Sequence, residues 1–384
     1  MSPSEVLLED ASADGIPARR LPPAEPAART ALLNIQALRA LAAFMVVLVH
    51  LQTLAVIGGA SEDLFRFGNA GVDIFFVISG FIMVFTTGRR PVGPAAFLLS
   101  RIKRVAPLYW AVTLAVFAAA VAAPRLFQHT QADLRHLIGS LLFWPMQRGD
   151  GTLRPILFVG WSLNYEMAFY VLFAAGLCLR RRILGVAATV VAMAAICVWT
   201  AWGRPDNEQL RFYGSPLILE FGAGMVLGLA WPRLSAKRFV ACLLFVAALA
   251  SAAVILAAPI FWPNAERLWL FGGPATVIVL AALVLEKSGL SLSAPWIRRL
   301  GNASYAIYLS HFILTQAVTA VALKLGWRGP LWATALGAAC LVGVAGLGLI
   351  LHYLFERPVD LWLSKRSVPT RGIEQRLPMP GLSQ

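Results

Sequence analysis

The sequence predicts an all-α fold, a polytopic integral membrane bundle of about ten transmembrane helices with both termini cytoplasmic. Three observations predict it. Of the 384 residues, 59% are hydrophobic and 14% charged, whereas a soluble domain carries about 25% charged residues and under half apolar ones. Apolar runs long enough to cross a bilayer, about 20 residues each, recur ten times. The Lys and Arg residues also alternate between the connections. That composition excludes an ordinary cytosolic enzyme, a disordered scaffold and a secreted disulfide domain.

The runs lie at roughly 33–57, 71–88, 105–123, 161–179, 183–202, 213–231, 239–260, 269–286, 304–325 and 331–355. Of the 33 basic residues, 22 fall on one side. They include Arg19, Arg20 and Arg29 in the leading tail, Arg89 to Arg104 after the second run, Arg180 to Arg182, and Arg357 to Arg376 at the end. Ten fall on the other side: Arg66, Arg125, Arg135, Arg148, Arg154, Arg204, Arg211, Arg267, Lys324 and Arg328. Arg39 lies inside the first span. The positive-inside rule then puts both termini in the cytoplasm, and an even span count agrees. The net charge of +14 is thus mostly an orientation signal, and no nucleic-acid partner is expected.

Residues 1–30 and 365–384 are rich in Ala, Pro and charge and read as disordered cytoplasmic tails, not as a cleavable signal. They flank one membrane unit at 31–364. The longest connection, about 124–160, contains an apolar patch from Leu137 to Pro145 that lies in the interface or re-enters the bundle. Cys178, Cys197, Cys242 and Cys340 are scattered through apolar spans without ligand spacing and read as packing residues. No metal site is expected.

An ionisable group near the bilayer centre costs at least about 2.5–3.5 kcal/mol, so each one needs a partner or a purpose. Arg39 and His50 are 11 residues apart, three helical turns plus about 20°, so they share a face some 16 Å apart along the axis. That suits a long anionic substrate entering from the cytoplasm with its reactive end on the far side. An imidazole, with an unperturbed pKa of about 6.5, is the natural general base there. The structural alternative is that Arg39 snorkels and His50 bonds a neighbouring helix. Asp73 opens the second span at the His50 end, either as a functional carboxylate or as an ordinary helix-start acid. Glu166, a turn and a half into the fourth span, either orients His50, holds an acceptor hydroxyl or pairs with an arginine. Glu220, beside Gly222 and Gly224, either pairs across a close helix contact or binds substrate. Ser304, Tyr308 and His311 form one polar stripe. Trp161 completes the candidate substrate-binding set with Glu220, Tyr308 and His311. Arg101 and Arg104 project together from the loop after the second span and suit a phosphate.

These residues resemble a known family, the membrane acyltransferase-3 proteins. The likeness rests on six blocks in register over about residues 31–360: Asn34 to His50, with ten residues between Arg39 and His50; Gly71-Val72-Asp73-Ile74-Phe75-Phe76 through Phe81; Arg101 and Arg104; Gly160-Trp161-Ser162-Leu163-Asn164-Tyr165-Glu166-Met167; Gly301 to His311; and Phe355-Glu356-Arg357-Pro358. The fourth block looks like the exopolysaccharide O-acetyltransferase subgroup. Many relatives carry a second acidic residue where this chain has Met167, together with an esterase-like domain that is not expected here. The resemblance implies transfer of an acyl group, probably acetyl, from cytoplasmic acetyl-CoA or another acyl-CoA to a saccharide or polysaccharide hydroxyl at the outer face of a bacterial inner membrane. It assigns catalytic weight to Arg39 and His50 and donor binding to Arg101 and Arg104; to this the residues themselves add Asp73 or Glu166 to orient a general base at His50, and Arg39 to the donor site. Membrane lipid is the remaining partner. The alternative is a transporter or flippase of lipid-linked saccharide, disfavoured because no inverted repeat is detectable and the charges gather around one histidine.

Overall fold

Apart from one antiparallel bridge between Gln147 and Leu153, every regular element among the described residues is helical. The computed structural model describes residues 32–123, 133–148 and 151–365. The tail expected at 1–30, and all but Lys365 of the one expected at 365–384, lie outside them.

Helix α1 (Leu33–His50) has no side-chain cap of its own. Its exposed N–H groups are instead taken by Glu286 from far along the chain, Leu33 N at 2.5 Å and Asn34 N at 3.0 Å. The expected first span breaks at Leu51, where a short α2 (Gln52–Ile57) begins. Gln52 draws the chain outward there by bonding the Ser61 carbonyl and the Phe65 amide. Next come α3 (Ala70–Arg89) and the 29-residue α4 (Pro94–Ala122), which opens on a proline and carries Pro107 in its interior. The apolar patch folds as α5 (Leu134–Leu141), N-capped by Asp133. It is tied to α4 by the Tyr109 hydroxyl and the Trp110 indole, which donate to the carbonyls of Ser140 and Leu141.

Helices α6 (Trp161–Gly176), α7 (Arg182–Gly203), α8 (Glu208–Tyr213), α9 (Ile218–Ala230) and α10 (Arg238–Phe261) follow. A π-helical turn at Leu268–Gly272 leads into α11 (Gly273–Lys287), and α12 (Pro295–Asn302), α13 (Ser304–Lys324) and α14 (Pro330–Leu351) come next. A second π turn, His352–Glu356, ends in α15 (Arg357–Lys365).

Nine helical segments among the described residues are long and apolar enough to cross a membrane. The tenth expected span is α6; its 16 residues make about 24 Å, short of a hydrocarbon core of about 30 Å. The fold is an all-α polytopic membrane bundle. Its centre is α3, packed on α9, α1 and α11. The α3–α9 crossing is close because both helices bring glycines to it. A Cβ at Gly80 would lie 2.0 Å from the Phe221 carbonyl oxygen, and one at Gly224 2.0 Å from that of Val77. Small residues at such a crossing let backbones touch where lipid supplies no hydrophobic drive. By contrast, α10 points Phe239, Val246 and Ile260 outward, as a lipid-facing helix does.

Candidate active site

The shared face of Arg39 and His50 on α1 fronts two cavities. The first, about 650 Å³, lies at the His50 end, over Val46, Val49 and His50, and is walled by Phe158, Trp161, Tyr165 and Phe212. Arg154, Arg211, Arg267 and Glu208 supply its charged lining. The second, about 150 Å³, lies at the Arg39 end and gathers Arg39, Arg101, Arg104, Glu166, Tyr170 and Tyr305. Val72 and Tyr308 line both. Tyr308 is fixed between them: its hydroxyl lies 2.7 Å from Ser162 Oγ and donates to the Val159 carbonyl at 2.9 Å.

Neighbouring side chains hold Glu166, Arg104 and Arg101 in the Arg39 chamber. Glu166 accepts from Ser79 Oγ at 3.0 Å and from the Tyr170 hydroxyl at 2.5 Å. Arg104 lies 3.7 Å from Glu356 and 3.6 Å from Asp360. Glu356 is presented by the second π turn and is also 2.8 Å from His352 Nδ1. Arg101 lies over the Phe97 ring at 5.4 Å, and its Nε is buried without a hydrogen bond. Three guanidinium groups therefore converge on a small chamber in which Glu166 is the carboxylate on the wall.

The expectation that Asp73 or Glu166 orients His50 is not what the geometry displays. Glu166 faces the Arg39 chamber. Asp73, fully buried, binds Arg267 through two contacts, Nη2 to Oδ2 at 2.6 Å and Nε to Oδ1 at 3.2 Å. A buried carboxylate is held by the nearest cation that can reach it, and Arg267, just ahead of the first π turn, reaches it from across the bundle. Glu220 lies in the same buried region, its Oε1 only 2.7 Å from where a Cβ on Gly272 would stand, and lines neither chamber.

The group against His50 is His311. The two rings are 5.0 Å apart between centroids, enclosed by Phe158 and Phe312. His311 is fully buried, with Nδ1 2.7 Å from the Tyr308 carbonyl and, among the described residues, no hydrogen bond at Nε2. A carbonyl only accepts, so Nδ1 carries the hydrogen and Nε2 offers a bare lone pair. Of the polar stripe, Tyr308 lines both chambers and His311 stands against His50. Trp161 lines the His50 chamber.

Sequence reasoning missed Arg154, Arg211, Arg267 and Phe158. Arg154 lies over Phe158 at 4.6 Å and Trp161 at 5.1 Å. A signal was present for Arg267, a basic residue directly abutting an apolar run on the side where such residues are scarce. Among the described residues, no group of three or more His, Cys, Asp or Glu is placed to hold a metal.

A family model described as an acyltransferase domain, Acyl_transf_3, matches residues 32–350. The chain belongs to the acyltransferase-3 family. Among its relatives in this family is the exopolysaccharide production protein ExoZ of Rhizobium meliloti (strain 1021), 36% identical over 302 residues that cover 77% of this chain and 90% of ExoZ. Another is the putative membrane-bound transacylase BcsY of Komagataeibacter xylinus, 29% identical over 304 residues, 73% of this chain and 72% of BcsY. A third, the acyltransferase MdmB of Streptomyces mycarofaciens, is 27% identical over 346 residues, 81% of this chain and 85% of MdmB. No solved structure matches the chain. The acyltransferase-3 assignment makes this a multi-pass membrane acyltransferase.

Proposed function

We propose that this acyltransferase moves a short acyl group, acetyl in the simplest case, from cytoplasmic acyl-CoA to a hydroxyl of a cell-surface polysaccharide or its lipid-linked precursor. The reading places it in a bacterial inner membrane with both termini cytoplasmic. The observation that carries it is the pair of chambers on one face of α1, one ringed by arginines and one holding His50, which meet at Tyr308. The description of ExoZ as an exopolysaccharide production protein supports the saccharide acceptor.

Arg101 and Arg104 sit early in α4, ahead of Pro107, and suit the donor's phosphates; fork-shaped guanidinium groups bind phosphate oxygens in pairs. A chamber of about 150 Å³ accommodates the thioester end of the donor but not its nucleotide. The acceptor enters the larger chamber. His50 takes the proton from the acceptor hydroxyl as its oxygen attacks the thioester carbonyl. The carbon–sulfur bond then breaks, and the proton passes from His50 to the departing thiolate, which leaves as the free thiol. In this reading, His311 accepts the N–H of His50 and so keeps its other ring nitrogen bare toward the acceptor. A neutral imidazole performs this task without burying a further charge.

The test is purified protein in nanodiscs with labelled acetyl-CoA and de-O-acylated polysaccharide of the producing strain. Transfer is expected, and His50→Ala is expected to abolish it while the protein stays folded and membrane-bound. Retained transfer by His50→Ala would refute the role of His50, and loss of the polysaccharide itself in a deletion strain would favour transport over transfer.

A further inference from the structure

We propose that Phe75, together with Val72 and Tyr308, closes the inner end of the Arg39 chamber as an apolar bay that measures the donor's acyl chain and admits a short one. This rests on the acyl-transfer reading above and names the residue that sets the size of the group transferred. The first observation is where α3 meets empty space. From Ala70 to Phe85 every residue of this helix is buried except Phe75, Ser79 and Ile82. Their spacing of four and three residues puts them on one face, and all three line the Arg39 chamber. The helix packs on α9, α1 and α11, so the surface these residues keep is turned to a cavity within the bundle.

The second observation is the order of chemistry along that face. At one end of the chamber stand Arg39, Arg101 and Arg104. Ser79 donates its hydroxyl to Glu166 at 3.0 Å. Phe75 lies one turn further toward the His50 end, about 6 Å along the axis, and there the lining includes Val72, Phe76 and Leu163. A polar carrier arm that ends in a hydrocarbon tail has the same order, so the apolar bay falls where the tail would lie.

The third observation is how the bay is closed. Phe75 meets Tyr308 edge to face, with 5.9 Å between ring centroids at 72°. The Tyr308 hydroxyl is held by Ser162 Oγ and the Val159 carbonyl, which pins that ring. Tyr308 is in turn 5.9 Å from the His311 ring, and His311 stands against His50. The closed end therefore lies beside the base, where the thioester carbonyl must come. A close-packed wall rejects a longer chain, because extra methylenes force side chains or backbone to shift. Each methylene in such a pocket is worth about 10–200-fold in specificity.

The test compares acetyl-, propionyl-, butyryl- and hexanoyl-CoA as donors, with protein in nanodiscs and de-O-acylated polysaccharide of the producing strain as acceptor. The readout is the ratio of kcat/KM between two donors in one preparation, which does not depend on the fraction of protein that is folded. In the parent, kcat/KM is expected to fall at least about tenfold from acetyl to butyryl. Phe75→Leu and Phe75→Ala empty part of the bay and are expected to shrink that gap about tenfold, with hexanoyl transfer appearing in Phe75→Ala. Phe75→Trp fills the bay and is expected to lower propionyl transfer relative to acetyl. A parent that uses butyryl-CoA as well as acetyl-CoA overturns the proposal. So does a ratio that both truncations leave unchanged, or loss of transfer from every donor in all three variants, since a ruler alters which chain is taken and not whether one is. Transfer from none of the donors by the parent would instead refute the acyl-transfer reading itself.

Discussion

His311 is fully buried and, among the described residues, has no hydrogen-bond partner at Nε2, so its replacement tests whether it acts through His50. If its lone pair holds the His50 N–H, losing that neutral hydrogen bond costs about 0.5–1.5 kcal/mol in net terms, a factor of about 2–12 in rate. A wrongly oriented or wrongly protonated base forfeits more, because general base catalysis as a whole contributes roughly 10²–10⁴-fold. His311→Phe keeps a ring against His50 but offers no acceptor, and its kcat is expected to fall by about 10²-fold. His311→Gln restores an acceptor and is expected to recover to within about tenfold of the parent. The KM for the acyl donor should move little, since that chamber lies on the other side of Tyr308. The assay is steady-state transfer from labelled acetyl-CoA in nanodiscs, with thermal unfolding followed in parallel. An unchanged kcat in a folded His311→Phe protein refutes the role, and so does a Gln variant no better than Phe.

Three further perturbations follow from the geometry. Gly224→Ala puts a methyl 2.0 Å from the Val77 oxygen and 2.8 Å from the Phe81 nitrogen; both are backbone atoms and cannot swing aside. The α3–α9 crossing must open, at a cost of about 3 kcal/mol or more, read as a lowered thermal midpoint in detergent; an unchanged midpoint would show that the helices are not in contact there. Glu286→Ala strips α1 of the acceptor for Leu33 N and Asn34 N, a loss of about 1–3 kcal/mol, measurable as faster amide exchange over the first turn of α1. Tyr308→Ala removes the wall between the chambers, so acyl-CoA hydrolysis without acceptor should rise relative to transfer; an unaltered ratio would mean that Tyr308 does not keep water from the thioester.

The span pattern was legible because a bilayer imposes its length on every crossing segment; the departures are the short α6, the break at Leu51 and the division of the expected 213–231 run between α8 and the 13-residue α9. Arg39 and His50 were legible for a related reason: helical periodicity fixes which residues share a face, and a 20° offset over three turns leaves them there. The carboxylates were not. Asp73 is claimed by Arg267, 194 residues along the chain, and nothing local to either residue announces that pairing. A buried acid takes whichever cation the fold delivers, and the delivery here depends on a π turn at Leu268–Gly272 and on the glycine-lined approach of α9 to α3. Periodicity placed His311 on a polar stripe yet could not say what stood opposite it, because facing another helix is a tertiary fact. The consequence bears on mechanism. With Asp73 committed to Arg267 and Glu166 to Ser79 and Tyr170, no carboxylate among the described residues hydrogen-bonds the base. A triad of the usual kind would place a buried charge beside His50, at a depth where that charge needs a cation of its own. The imidazole of His311, anchored to the Tyr308 carbonyl, can hold the base without that charge.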